Sequence, residues 1–170
     1  MISVRTATVA DADTIASIYA FHVLNGTATF EIDPPSAADW QLKTENILAK
    51  NWPFVVAVDG ADVVGYAYAT QFRDRPAYRY SCENSIYVAA NRRGQGIGKL
   101  LLAALVQRAE EFGFRQMLAV VGGAEPSSIA VHKSLGFRET GRMQAVGRKF
   151  NKWLDTVYMQ RALGAGDAEI

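Results

Sequence analysis

The chain has 170 residues, 49% hydrophobic and 21% charged. That length favours one domain, and the composition excludes a disordered chain. Lys plus Arg number 18 against 17 Asp plus Glu, a net charge of +1, so no basic excess marks a dedicated nucleic-acid binder. The single cysteine, Cys82, excludes an intrachain disulfide and a cysteine-rich zinc site, and no metal site is expected.

Met1 to Ala20 carries Arg5, Asp11 and Asp13, so no uninterrupted apolar signal region opens the chain. No apolar run approaches the roughly 18 residues of a membrane span. The expectation is a soluble, cytoplasmic protein with no membrane partner.

Ile2 to Val9 alternates β-branched residues and reads as a strand. Asp11 starts a helix with Ile15, Ile18, Tyr19 and Val23 on one face, and Asn25-Gly26 stops it. Thr27 to Ile32 is a short extended stretch ending at Pro34-Pro35. Ser36 caps a second helix that runs to about Lys50 and carries Trp40, Ile47 and Leu48. Phe54 to Val58 and Val63 to Phe72 are strands joined by Asp59-Gly60-Ala61-Asp62, a hairpin signal. A polar loop from Arg73 to Tyr80 leads into a strand over about Cys82 to Ala89.

From Ile97 to Phe112 the period is helical, with Leu101, Leu102, Leu105, Ala109 and Phe112 on the apolar face and Gly113 at the end. Gln116 to Val121 is a buried-type strand, and Pro126 opens a helix that ends at Gly136-Phe137. Arg138 to Val146 and Leu154 to Gln160 are the last strands. The domain is expected over residues 1–162, with 163–170 a frayed tail. The order of elements predicts an α+β fold in α/β/α layers, with a mixed sheet flanked by helices.

The segment most loaded with chemistry is Arg93-Gly94-Gln95-Gly96-Ile97-Gly98, set between a strand and an amphipathic helix. Alternate glycines let the backbone approach a ligand, and a helix N-terminus offers free N–H groups to an anion. Arg92, Arg93 and Lys99 add positive charge, making a pyrophosphate cradle; an ordinary Gly-rich turn is the competing reading. A P-loop is excluded because Leu100, not Ser or Thr, follows Lys99, and the dinucleotide fingerprint lacks its third glycine.

This segment resembles the acetyl-CoA loop of the GNAT superfamily of N-acetyltransferases, with Arg93, Gly96 and Gly98 at the signature positions and the strand Ile86-Tyr87-Val88 before them. Within that superfamily the chain is similar to the phosphinothricin and methionine sulfoximine/sulfone acetyltransferase group. The runs that carry the similarity include Arg75-Pro76-Ala77-Tyr78-Arg79, Ser128 to Phe137 and Val146-Gly147-Arg148-Lys149-Phe150 with Trp153-Leu154-Asp155. The resemblance implies a twisted, mostly antiparallel sheet of about six or seven strands with about four helices. It also implies acetyl-CoA as co-substrate, direct transfer to a small amine in a ternary complex, and a homodimer.

The residues implied to hold acetyl-CoA are Ile86, Tyr87, Val88, Arg93, Gly94, Gln95, Gly96, Ile97, Gly98, Lys99 and Lys133, with the Val88 N–H polarising the thioester carbonyl. An amine that is mostly ammonium at pH 7 must lose a proton, and Glu83 is the implied base; the competing reading is a solvated strand glutamate. His132 is the implied proton donor to the leaving thiolate, against a packed helix histidine, while His22 reads as structural. Cys82 reads as a small buried residue.

For the acceptor the implied residues are Phe30, Glu31, Arg73, Asp74, Arg75, Asn84, Ser85 and Glu125, because guanidinium groups grip carboxylates and phosphinates in bidentate fashion. Surface arginines are the competing reading for Arg73, Arg75 and Arg79. Glu125 stands where the group usually has Asn, which bears on the substrate rather than on the reaction. Lys149, Phe150 and Trp153 complete either the pocket or a dimer contact. Another amine acceptor and a non-catalytic acyl-CoA-binding module are the remaining alternatives.

Overall fold

The computed structural model describes residues 1–169. Its strands are β1 (Ile2–Thr6), β2 (Phe54–Asp59), β3 (Asp62–Gln71), β4 (Ser81–Val88), β5 (Gln116–Gly122), β6 (Arg138–Lys149) and β7 (Lys152–Ala162). The helices are α1 (Ala12–Asn25), α2 (Ala37–Ala49), α3 (Ile97–Phe112) and α4 (Pro126–Ser134). The seven strands form one sheet in the order β1-β2-β3-β4-β5-β7-β6. Every neighbouring pair is antiparallel except β4 and β5. No helix among the described residues is long and apolar enough to cross a membrane.

Alternation along the strands feeds two cores, one on each face. On one face Tyr66 and Tyr68 of β3 and Phe54 of β2 pack with Ile15, Tyr19 and Trp40 from α1 and α2. On the other, Ala67, Ala69, Met117 and Met159 pack with Leu101, Leu102 and Leu105 of α3. The helix ends follow local chemistry. Ser36 and Asp39 form a reciprocal capping box at the start of α2. Gly113, at φ 106°, takes the left-handed conformation that closes α3.

Two expectations change, at the first strand and at the tail. The stretch Thr27 to Ile32 is an irregular loop held by Tyr19 Oη to Thr29 Oγ1 at 2.7 Å and by Lys149 Nζ donating to the Thr29 carbonyl at 3.0 Å. The first strand stops at Thr6 because Asp11 turns back to take the Arg5 guanidinium and the Thr8 N–H. The tail expected to fray is anchored: Leu163 is fully buried, and Arg115 donates to the carbonyls of Gly166 and Ala168 at 2.7 and 2.8 Å. Ile170, the end of that expected tail, lies outside the described residues.

Candidate active site

The glycine segment delivers its backbone to an open cleft of about 530 Å³. Gly94 and Gly96 have φ of 75° and 79°, a conformation L side chains rarely adopt, and a Cβ there would meet nothing within 4 Å. Gly96 caps α3 without any side-chain hydrogen bond, so the first N–H groups of this 16-residue helix face the cleft free. Arg93 and Lys99 line it as well. Arg92 also lines it, but its guanidinium is tied to Asp59 at 2.8 Å.

The opposite wall is the edge of β4. Phe72 N–H bonds the Ser81 carbonyl and Ala89 N–H bonds the Val64 carbonyl. The odd-numbered residues of β4 therefore bond to β3, and the even-numbered ones turn toward β5. The pairing with β5 ends at Asn84↔Ala119. Beyond it the strands splay, and Ile86 and Val88 present their amide groups to the cleft. One of these groups is taken: His22 Nε2 lies 2.8 Å from the Val88 carbonyl, so that nitrogen carries the proton. His22, expected to be structural, thus also fixes the backbone of the cleft wall. Burial lowers its pKa, opposed by the Val88 bond, and the charge of Arg93 lowers it further.

Where β4 and β5 part, a cavity of about 270 Å³ opens through the sheet. It shares Ile86, Tyr87 and His132 with the glycine cleft. On its other side it shares Glu83 and Ser85 with a shallow groove of about 520 Å³ under α2, lined also by Lys43, Tyr68 and Phe72. Burial raises the Glu83 carboxyl above its usual pKa, while the charges of Arg73 and Lys43 pull it partly back. A half-buried carboxylate moved toward neutrality and standing at the wall of two cavities is chemically suited to accept a proton.

His132 sits at the other end of that cavity, buried against Phe137 in an edge-to-face contact at 5.0 Å. Its Nδ1 is 2.7 Å from the Ser128 carbonyl and its Nε2 is 3.0 Å from Asn84 Oδ1. Asn84 Nδ2 in turn donates to the Leu118 carbonyl at 3.1 Å.

The remaining candidates divide. Phe30 lines the through-sheet cavity, and Arg73 stacks on Phe72 near Glu83. Asp74 and Arg75 are exposed in the loop after β3 and line none of these three cavities. Glu31 is also exposed off the walls, with its charge near Lys149. Gln95 and Lys133 are exposed and do not line the glycine cleft, because Gln95 sits at the loop crest and Lys133 on the outer side of α4. Glu125 changes sides. At the N-cap of α4 it lines the glycine cleft and accepts from Ser127 Oγ at 3.3 Å, because Gly123 and Ala124, both at positive φ, turn the chain away after β5.

Phe150 and Trp153 are 51% and 67% exposed on the β6–β7 hairpin, outside the cavity. Cys82 is fully buried and burial pushes its thiol up, so it is inert. Lys43 and Tyr68, bonded at 2.6 Å beside Glu83, were not anticipated. The spacing of Trp40 and Lys43 on α2 was their only sequence signal.

Comparison with known proteins agrees with this geometry. The family model for the acetyltransferase (GNAT) domain matches residues 4–158. The chain is 42% identical over 161 residues to a phosphinothricin N-acetyltransferase of Alcaligenes faecalis, covering 94% of this chain and 82% of that protein. It is 38% identical over 159 residues to an L-methionine sulfoximine/L-methionine sulfone acetyltransferase of Pseudomonas aeruginosa, covering 93% and 92%. A crystal structure of a GNAT phosphinothricin acetyltransferase from Sinorhizobium meliloti, in complex with AcCoA, superposes with a TM-score of 0.97 at 51% identity, covering 99% of this chain and 92% of that one.

Proposed function

The chain belongs to the GNAT acetyltransferases, acetyl-CoA-dependent enzymes that acetylate amines, and from that premise we propose that its acceptor is the α-amine of a small amino-acid analogue of the phosphinothricin, methionine sulfoximine or methionine sulfone type. The observation that carries this reading is the through-sheet cavity. It joins the glycine cleft at Ile86 and His132 and the α2 groove at Glu83 and Ser85. A donor lying in the cleft and an amine entering from the groove meet there.

The residues present fit acetyl-CoA. Gly94, Gly96 and the uncapped start of α3 suit its pyrophosphate, with Arg93 and Lys99 balancing charge, and the Ile86 amide groups with the Val88 N–H suit an extended amide-bearing arm. When bound, acetyl-CoA supplies the activated acyl group. In this reading the Val88 N–H polarises the thioester carbonyl, a contribution of about 10²- to 10³-fold for one donor. Glu83 accepts the proton that the ammonium must lose before its nitrogen can attack. His132 returns a proton to the departing sulfur, and Arg73 near Glu83 suits the acceptor's carboxylate or distal acid.

The hairpin of β6 and β7 bears Met143 and Val146 on the outermost strand, Phe150 in its turn and Trp153 at the start of β7, all more than 40% exposed. A long bare edge of this kind favours a second copy covering it, which makes the working unit a homodimer. Release of CoA from acetyl-CoA tests the acceptor. Methionine sulfone, methionine sulfoximine and phosphinothricin should each support turnover, with spermidine and an alanyl peptide near background. Turnover with the last two alone would reassign the acceptor.

A further inference from the structure

The hydrogen-bond chain through His132 has a parity that a neutral ring cannot satisfy. It runs Ser128 carbonyl, His132 Nδ1, His132 Nε2, Asn84 amide, Leu118 carbonyl, at 2.7, 3.0 and 3.1 Å for its three links. Both ends are main-chain carbonyls, which only accept. The Leu118 end requires the Asn84 NH₂, which leaves Asn84 Oδ1 facing Nε2. The Ser128 end requires a proton on Nδ1. A neutral ring has one N–H, so it leaves two acceptors facing each other at one of these links, whichever tautomer forms and whichever way the amide is turned; the only other donor near Nδ1 is the Ser128 hydroxyl, at a long 3.5 Å. An imidazolium satisfies all three links at once.

We propose that Asn84 is a positioning residue that, with the Ser128 carbonyl, holds His132 as an imidazolium in the resting enzyme, one ring N–H on each. This rests on the reading above in one respect: it supplies the proton that His132 gives to the leaving thiolate. In that step Nε2–H transfers its proton to sulfur, forming CoA–SH and a neutral imidazole. The proton lost by the amine goes to Glu83, and solvent resets both groups. On neutralisation the Asn84 amide can turn its NH₂ to Nε2, at the expense of its bond to Leu118.

The groups around the ring are neutral: Asn84 from β4, Leu118 from β5, Ser128 within α4 and the Phe137 ring. Glu83 and Glu125 line the cavities that His132 also lines but make no hydrogen bond to it, and Lys133 beside it on α4 is exposed. Burial is the larger effect on His132 and lowers its pKa below the ordinary histidine value; the Ser128 bond opposes it. The Asn84 carbonyl, 3.0 Å from Nε2, is the facing contact that a mutation can remove.

The direct test is ¹⁵N NMR of the His-labelled full-length protein, in which only His22 and His132 report, assigned with His22→Gln. The expected wild-type result at pH 7 is a ring protonated on both nitrogens. Asn84→Ala should move the titration midpoint down by at least about one unit, a tenfold change in proton affinity, and Asn84→Asp should restore or raise it. A wild-type ring that is neutral at pH 7, or a midpoint that Asn84→Ala leaves in place, overturns the proposal; the first of these needs no variant to fold. The kcat–pH profile separates this from the catalytic reading. If His132 is the proton donor, the alkaline limb of kcat falls at the NMR midpoint and shifts with it in Asn84→Ala. A midpoint that shifts while that limb stays in place upholds the role of Asn84 and removes the proton-donor role from His132.

Discussion

Gly147 on β6 packs against the ring of Phe30, which lines the through-sheet cavity. A Cβ added there would lie 2.6 and 2.8 Å from Phe30 Cδ2 and Cζ, well inside van der Waals contact. Restoring ordinary carbon–carbon separation requires the ring to move about 1 Å. Phe30 is 39% exposed, so its ring can swing away rather than force the sheet apart. Overpacking of this kind costs about 1–3 kcal/mol. If the cost is met by displacing the acceptor wall, Gly147→Ala raises the acceptor KM by about 5- to 150-fold. The KM for acetyl-CoA and the Tm should change little. Gly141→Ala, where nothing lies within 4 Å, is the matched control on the same strand. A folded Gly147→Ala enzyme with the control's acceptor KM would refute the placement of Phe30 on the acceptor wall.

Gly96→Glu puts bulk, a negative charge and a strained positive φ into the proposed pyrophosphate cradle. Calorimetry should show acetyl-CoA binding lost from a folded protein, and normal binding would return the loop to an ordinary turn. Glu125→Asn removes from the cleft that Arg93 and Lys99 line a negative charge that repels a pyrophosphate; acetyl-CoA KM should fall roughly 2- to 10-fold with the acceptor KM unchanged, and the opposite pattern would place Glu125 on the acceptor. Asp11, hydrogen-bonded to Arg5 and Thr8, has its pKa lowered, so its stabilisation is complete above its unfolded value of about 3.9 and is lost as pH falls through the lower folded value. With Arg5 partly exposed, Asp11→Asn should cost about 1 kcal/mol in urea unfolding at pH 7, and the difference should vanish at strongly acid pH.

Much of this arrangement is legible in the residues themselves. The spacing of Leu101, Leu102, Leu105 and Ala109 with Gly113 fixes α3, its buried face and its end, because each of those signals is local. Gly94 and Gly96 are legible for the same reason. The tail is not: Leu163 looks like a lone apolar residue in an Ala/Gly stretch, and what holds it is Arg115, 48 to 53 positions away. β6 runs past Val146, the expected end, to Lys149, because Gly147, Arg148 and Lys149 pair with Leu154, Trp153 and Lys152 across the hairpin. Glu125 sits beside the expected acceptor residues in sequence pattern but on the cleft side in space, since the turn at Gly122 to Ala124 decides which cavity α4 faces. Asn84 is assigned to the acceptor only through the resemblance. Strand alternation puts it on the opposite face to Glu83, where its side chain is already committed to His132 and Leu118.

The central claim is that Glu83 takes the amine's proton at the junction of the two clefts, and steady-state kinetics of Glu83→Gln across pH tests it most directly. Because burial raises the Glu83 pKa, the acid limb of wild-type kcat/KM should lie above the usual carboxylate range, with activity rising as the group ionises. The variant should lose that limb and turn over about 10²- to 10⁴-fold more slowly at pH 7. The deficit should shrink at alkaline pH, where the amine is already free, and acetyl-CoA affinity should be unchanged. A folded Glu83→Gln enzyme with near wild-type kcat at pH 7 would contradict the account.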